Sequence, residues 1–234
     1  MKFSKFQIKG NSSQLFITTK YNKNININKS FIKTILVDHT PSLVATLQES
    51  ELVIKFIRAR SWHEYLKLLW NRSRITKEIR GSQLLQSIGL RIPKIHETGF
   101  GIIPSKRHEY LGYYTMENLS HSGFKELSKL IIEGGLEDLM REKIMFSVYQ
   151  GLKVMRDHRI VFSDFHLDNV FANSIGDIAW IDTGVTTYNP INKKKFCFKY
   201  NQSITRYINY EYEGKILLSQ DERAIFKKLT ITLQ

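Results

Sequence analysis

Apolar and polar positions change their period twice along the chain. Through residue 60, β-branched and aromatic residues gather in short runs, SFIKTILV (30–37), LVATL (43–47) and ELVIKFIR (51–58), separated by polar stretches and Pro41. Runs of this length and make-up, broken by turn formers, predict strands, and their succession predicts an antiparallel meander. From Glu64 to Ser87 the spacing turns helical: Ile75, Ile79, Leu85 and Ile88 recur until Gly89 and Pro93 stop the segment. An amphipathic helix is predicted there, with another ahead of it. YLGYYTM (110–116) predicts a further buried strand, and NLSHSG (118–123) a turn-rich break. The expected division is therefore 1–117, a sheet with one main helix, and 118–234, mostly helical. In the second part Leu136, Leu139, Met140, Ile144, Val148, Leu152 and Met155 mark one face of a long helix, and short apolar strands follow at Val170-Phe171 and Ile178–Ile181. The fold class expected is α+β.

Composition narrows the picture. With 234 residues, 42% hydrophobic and 24% charged, the chain suits a globular fold and not a disordered or collagen-like one. Cys197 is the only cysteine, which excludes an intramolecular disulfide and a multi-cysteine zinc site. No window holds about 18 unbroken apolar residues, and MKFSKFQIKGNSSQ has no secretory apolar region, so a cytoplasmic protein is expected. Net charge is +13, which calls for a polyanionic neighbour. Nucleic acid, an anionic membrane leaflet and a phosphorylated substrate all satisfy the same Coulombic attraction.

Acid is concentrated against this trend in one place. Five Asp, at 157, 164, 168, 177 and 182, crowd around HRIVFSDFHLDNVFANSIGDIAWIDTG (158–184). Asp164 and Asn169 lie in a turn-like segment between apolar strands, and Asp182 ends IAWID just before Thr183-Gly184. Oxygen ligands at strand ends can converge on a hard cation. Mg²⁺ favours one or two carboxylates plus substrate phosphates, so Asn169, Asp182 and a nucleotide would suit it, leaving Asp164 to orient a hydroxyl nucleophile.

D-F-H-L-D-N followed by I-D-T-G resembles the catalytic and metal loops of the protein-kinase-like superfamily. On that resemblance Asp164 matches the catalytic Asp, Asn169 the metal-binding Asn, and Asp182 the Asp of D-F-G. It further implies a lysine on the third strand, matched by Lys55, and a glutamate on the next helix, matched by Glu78. Met116-Glu117-Asn118-Leu119 falls where the family's hinge meets adenine, so Glu117 and Leu119 are expected to bind the nucleotide through their backbones. Four elements in family order span residues 55–184. The implied fold has two lobes, and the implied cofactors are ATP and Mg²⁺. An amine from the first half and three oxygen-bearing groups from the second would then serve one triphosphate.

The narrower likeness is to bacterial lipopolysaccharide core kinases, which phosphorylate Kdo or heptose. It rests on a basic, Trp-containing stretch, RARSWHEYLKLLWNRSRITKE (58–78), on G-L-x-I-P-K (89–94), and on His166 two residues after Asp164. It implies transfer of a γ-phosphoryl group to a sugar hydroxyl of the core oligosaccharide or a lipid-linked precursor, at the cytoplasmic face of the inner membrane, with peripheral contact to anionic lipid. Between Lys55 and Arg80 eight Lys or Arg face two Glu, interleaved with Trp62, Tyr65 and Trp70, which fits headgroups or a phosphorylated saccharide. KKKFCFKY (193–200), with Arg206, Tyr207, Tyr210 and Tyr212 beyond it, is a second candidate substrate surface. His166 is expected to steady the loop or touch substrate, Asp168 to be solvated, and Cys197 to pack.

The chain also departs from the pattern. No G-x-G-x-x-G precedes Lys55, since the corresponding hairpin LVDHTPSLVA (36–45) has no glycine, and Ser163 replaces the Arg of H-R-D. Only 52 residues follow Asp182, without A-P-E, so a groove for protein substrates is not expected. The alternatives are a protein or small-molecule kinase of the same fold, a non-catalytic nucleotide-binding protein and, least favoured for lack of a motif, a nucleic-acid binder. Which hydroxyl is phosphorylated and the oligomeric state stay open at this level.

Overall fold

A computed structural model describes residues 2–9, 12–20, 32–39, 41–47, 51–101 and 109–232. The fold is mixed α and β, and the chain divides into two compact units, Met1–Ile79 with Pro93–Asn118, and Arg80–Ile92 with Leu119–Gln234.

The first unit is built on a curled antiparallel sheet. Its strands are β1 (Lys2–Lys9), β2 (Ser12–Lys20), β3 (Ile32–His39), β4 (Ser42–Leu47), β5 (Leu52–Arg58), β6 (Ile95–Gly101) and β7 (Tyr110–Glu117), ordered β1-β2-β6-β7-β5-β4-β3. The meander expected from the apolar runs is β3-β4-β5. Alternation along a strand sends neighbouring residues to opposite faces. On β5 it sends Leu52, Ile54 and Phe56 into a core with Phe6, Phe16 and Tyr113. Phe6 and Tyr113 meet edge to face, their ring centres 4.7 Å apart. The opposite face carries Lys55 and Ile57, and Ile57 packs with Ile75, Leu111 and Tyr114. Because both faces are covered, β5 is buried from Leu52 to Ile57. β3 ends the sheet and is exposed from Lys33 to His39, including Ile35, Leu36 and Val37. Two helices follow β5, α1 (His63–Leu69) and α2 (Arg74–Ser87), and the division between units falls within α2. The glycine-free β3–β4 hairpin pairs His39 with Ser42. Arg58 braces it by donating to the His39 carbonyl and the Asp38 carboxylate, both at 2.7 Å. Thr40 lies outside the described residues.

In the second unit come β8 (Lys125–Glu126), α3 (Leu127–Ile132), α4 (Asp138–Asp157), β9 (Ile160–Phe162), β10 (Val170–Ala172), β11 (Ile178–Trp180), β12 (Val185–Thr187), α5 (Lys193–Ile208), β13 (Glu211–Tyr212), β14 (Lys215–Ile216) and α6 (Gln220–Lys227). β11-β10-β8 form one small sheet, while β12 pairs β9 and β13 pairs β14. Ile144, Val148, Leu152 and Met155 of α4 form the buried stripe that helical spacing predicts. Leu139 is a correction: it is 78% exposed, because one residue before Met140 is about 100° around the helix. Trp180 is fully buried and comes close to Gly151, where a Cβ would stand 2.5 Å from Cζ2 of the indole. Arg141 of α4 grips the Glu222 carboxylate through Nε and Nη2 at 2.7 and 2.8 Å, and Glu222 also closes a capping box with Ser219. Among the described residues no helix is long and apolar enough to cross a membrane.

Candidate functional site

In the first unit the candidate residues meet on the α2 side of β5. Lys55, only 3% exposed, lies 3.1 Å from Glu78 Oε2, and the Tyr114 hydroxyl donates to the same oxygen at 2.9 Å. Register explains this trio: Lys55 sits opposite Tyr114 on β7, so both side chains emerge on the face that α2 covers. The ordinary alternative for Glu78, pairing with Arg74, is not adopted, since Arg74 turns to Glu64 at 3.5 Å. A buried ion pair is weak evidence of stabilisation, because desolvation offsets its attraction. What the pair does provide is an ammonium group fixed in place.

The second unit carries the acidic loop. After β9, Ser163 and Asp164 turn outward, and the Asp164 side chain is 82% exposed. Asn169 is 5% exposed, and its Nδ2 donates to the Asp164 carbonyl at 2.7 Å and approaches His166 Nε2 at 3.3 Å. Both neighbours accept, so the amide nitrogen faces the loop and Oδ1 is the group left for a cation. The Asn169 carbonyl accepts from Ile181 N–H at 3.0 Å, and Val170 pairs with Trp180. This ladder brings Asp182 to the end of β11, one residue beyond the partner of Asn169. Asp182 has φ 52°, a left-handed backbone that costs a non-glycine residue about 1 kcal/mol, Asp among the least. Gly184 N–H closes onto the Asp182 carbonyl at 2.7 Å, and buried Thr183 shares a 2.6 Å hydrogen bond with Ser82. An amide oxygen and a carboxylate at neighbouring strand ends are a hard-oxygen donor set of the kind Mg²⁺ takes alongside phosphate. Among the described residues no cluster of three or more His, Cys, Asp or Glu could enclose a metal without such help.

Arg206 and Tyr210, expected as part of a second substrate surface, instead frame the loop, and Tyr207 of that expected surface is a correction: it is fully buried and stacks on Phe165. Arg206 of α5 donates to the Ser163 carbonyl at 2.6 Å and to Asp164 Oδ1 at 3.2 Å, holding the carboxylate from a position 42 residues away. Tyr210 stacks on His166, ring centres 4.9 Å apart, and donates to Asp168. Burial first, and that carboxylate second, push the Tyr210 phenol well above its usual range. Asp168 is therefore not the solvated residue expected; with His166 Nδ1 3.5 Å from its Oδ2, it belongs to the frame of the loop. His166 contacts Asn169 and Tyr210 within the loop. Cys197 is buried in the core, as expected.

The expected hinge residues fall on either side of the division between the units. Glu117 ends β7 in the first unit, and its N–H is already given to Lys94, as that of Asn118 is to Glu51. Leu119 belongs to the second unit, where it packs with Phe124 and Ala179. No family model matches this sequence, and no curated protein matches it.

Proposed function

We propose that the protein is an ATP-dependent phosphotransferase with an alcohol acceptor, built as a two-lobed, protein-kinase-like fold. The observation that carries this reading is the buried Lys55–Glu78 pair at 3.1 Å. A strand lysine and a helix glutamate 23 residues later have no local reason to meet, and the motif order anticipates that they do. The loop of the second unit supports the same reading, with a framed Asn169, an outward Asp164 and Asp182 at the neighbouring strand end.

Phosphoryl transfer is mostly positioning and charge neutralisation. Lys55 neutralises the α- and β-phosphates, and Glu78 keeps its ammonium from wandering. Asn169 and Asp182 are the residues that would hold Mg²⁺, which supplies charge neutralisation at the phosphate oxygens. Asp164 accepts the hydrogen bond of the acceptor hydroxyl and aligns it, while Arg206 donates to its carboxylate and to the Ser163 carbonyl. The acceptor proposed is a sugar hydroxyl, Kdo or heptose, of the lipopolysaccharide core, and its support is the sequence likeness of residues 58–78 and 89–94.

The test is mass spectrometry of core oligosaccharide incubated with the protein and Mg·ATP. A gain of one phosphate is expected, falling by about 10² or more in a folded Asp164→Ala variant. Full turnover by that variant removes Asp164 from its role. Mg·ATP binding without phosphate gain on any sugar, protein or small-molecule acceptor makes the protein a nucleotide binder instead.

A further inference from the structure

Residues 60–72 take no part in the site described above, yet they break the usual rule for a surface helix. One side of α1 packs inward, with Tyr65 and Leu68 against the cluster of Ile57, Ile75, Leu111 and Tyr114. Burial pushes the Tyr65 phenol up to about 12. The outward side should then be polar. Instead Trp62 is 60% exposed, Leu66 38%, Leu69 76% and Trp70 65%. Trp62, Leu66 and Leu69 follow at spacings of four and three, so they line one side of the helix, and Trp70 continues the stripe. Two of the three tryptophans in the chain are thus offered to solvent, while the third, Trp180, is fully buried.

The exposed charges within residues 60–72 have one sign. Arg60, Lys67 and Arg72 are exposed. Glu64 is the only acid between residues 52 and 77. It is turned away, with a side chain 12% exposed that lies 3.5 Å from Arg74 and accepts from the Arg60 N–H at 2.9 Å. The described surface of residues 60–72 is therefore apolar and cationic, and the exposed acid that borders it is Glu109, whose carbonyl accepts from the Ala59 N–H at 2.8 Å.

We propose that this patch is a docking surface for an anionic lipid bilayer. Tryptophan favours the headgroup level, leucine the acyl boundary beneath it, and arginine and lysine the phosphates above, and α1 presents all three together. Single-stranded nucleic acid would engage the indoles by stacking and the cations by charge, but it would leave Leu66 and Leu69 without a partner. A bilayer buries both. The patch shares its stretch with residues 58–78, whose likeness supports the proposed acceptor, but none of its residues is Lys55, Glu78, Asp164, Asn169 or Asp182, so docking is tested apart from turnover.

The experiment is co-sedimentation and tryptophan emission with vesicles of phosphatidylcholine alone or with about a third phosphatidylglycerol. Wild type is expected to bind the anionic vesicles with a blue shift. Three cations worth roughly fivefold each give about 100-fold preference over neutral vesicles at low salt, fading as salt rises. Trp62→Ser with Trp70→Ser is expected to lose at least tenfold in binding at an unchanged urea midpoint, since both side chains are exposed. Quenching of wild-type emission by brominated lipid gives the same answer without a variant. No binding to anionic vesicles, binding undiminished in the double variant, preference for a single-stranded oligonucleotide, or light scattering showing a dimer formed through the patch each overturns the proposal. Asp164→Ala is expected to bind vesicles like wild type, so loss of docking and loss of turnover are read separately.

Discussion

Replacing Gly81 with Ala sets two effects of known size against each other. Gly81 lies inside α2, where exchange of a glycine for alanine ordinarily stabilises by about 1 kcal/mol. Here a Cβ would stand 2.9 Å from the carbonyl carbon of Thr183 and closer still to its oxygen, and 3.3 Å from a methyl of Val185. The obstacle is backbone and not the tip of a flexible side chain, so relief requires the loop and helix to part by about 1 Å. Overpacking of this kind costs about 1–3 kcal/mol, and a backbone obstacle belongs at the upper end, so clash outweighs propensity by about 1–2 kcal/mol. The displaced loop is the one that carries Asp182. A functional group must be held to about 0.5 Å, so nucleotide turnover should fall by about 10² on top of the stability loss. Urea unfolding followed by circular dichroism measures the first effect and ADP release the second. Gln83→Ala, exposed on the same helix, is the control and should change stability by no more than about 0.5 kcal/mol. A Gly81→Ala protein more stable than wild type would refute the close approach of helix and loop.

Other outcomes follow from two charge pairs, the buried Lys55–Glu78 and the partly buried Arg141–Glu222. Lys55→Met strands Glu78 beside Tyr114 and should cost about 3 kcal/mol, while adding Glu78→Gln should recover part of it, so a double-mutant cycle with no coupling would contradict the pair. For Glu222, burial is the largest influence and raises its pKa, but the Arg141 guanidinium and the Ser219 N–H outweigh it and hold the carboxyl below its ordinary 4.5. A folded value below the unfolded one means that the stabilisation is complete above about pH 4.5 and drains away as pH falls through the folded value. The urea midpoint of wild type should therefore drop more steeply as pH falls below about 4.5 than that of Glu222→Gln, and equal slopes would dismiss the pair as a source of acid sensitivity.

Legibility in the sequence followed the range of the interactions. β5, α2, β7, α4 and the β10–β11 hairpin all announce themselves through local periodicity or turn residues, and the structure has each. Leu139 shows the limit of that signal: it is apolar and near the stripe, but one helical step carries it into solvent. β1 and β2 were harder to delimit, because KFSKFQIK and SSQLFITTK mix polar residues into both faces, and Phe6 and Phe16 gain their meaning only from Phe56 and Tyr113 far along the chain. The candidate site divides likewise. Asp164, Asn169 and Asp182 stand out because acids are rare in a chain of this charge. Arg206 and Tyr210 are one cation and one ring among many, and only tertiary folding carries them to Asp164, His166 and Asp168. Gly81 carries no signal at all, because what it needs is room for a carbonyl a hundred residues away.

β3, the last strand of the large sheet, has a consequence for handling the protein. Among the described residues no strand flanks its outer side, and Ile35, Leu36 and Val37 sit consecutively exposed on it. An open amide rim with apolar side chains above and below is a template on which a stray extended segment can crystallise into register. Lys33 and Asp38 bracket that run with charge, and a gatekeeper at each end is what keeps neighbouring copies from zipping together in concentrated solution.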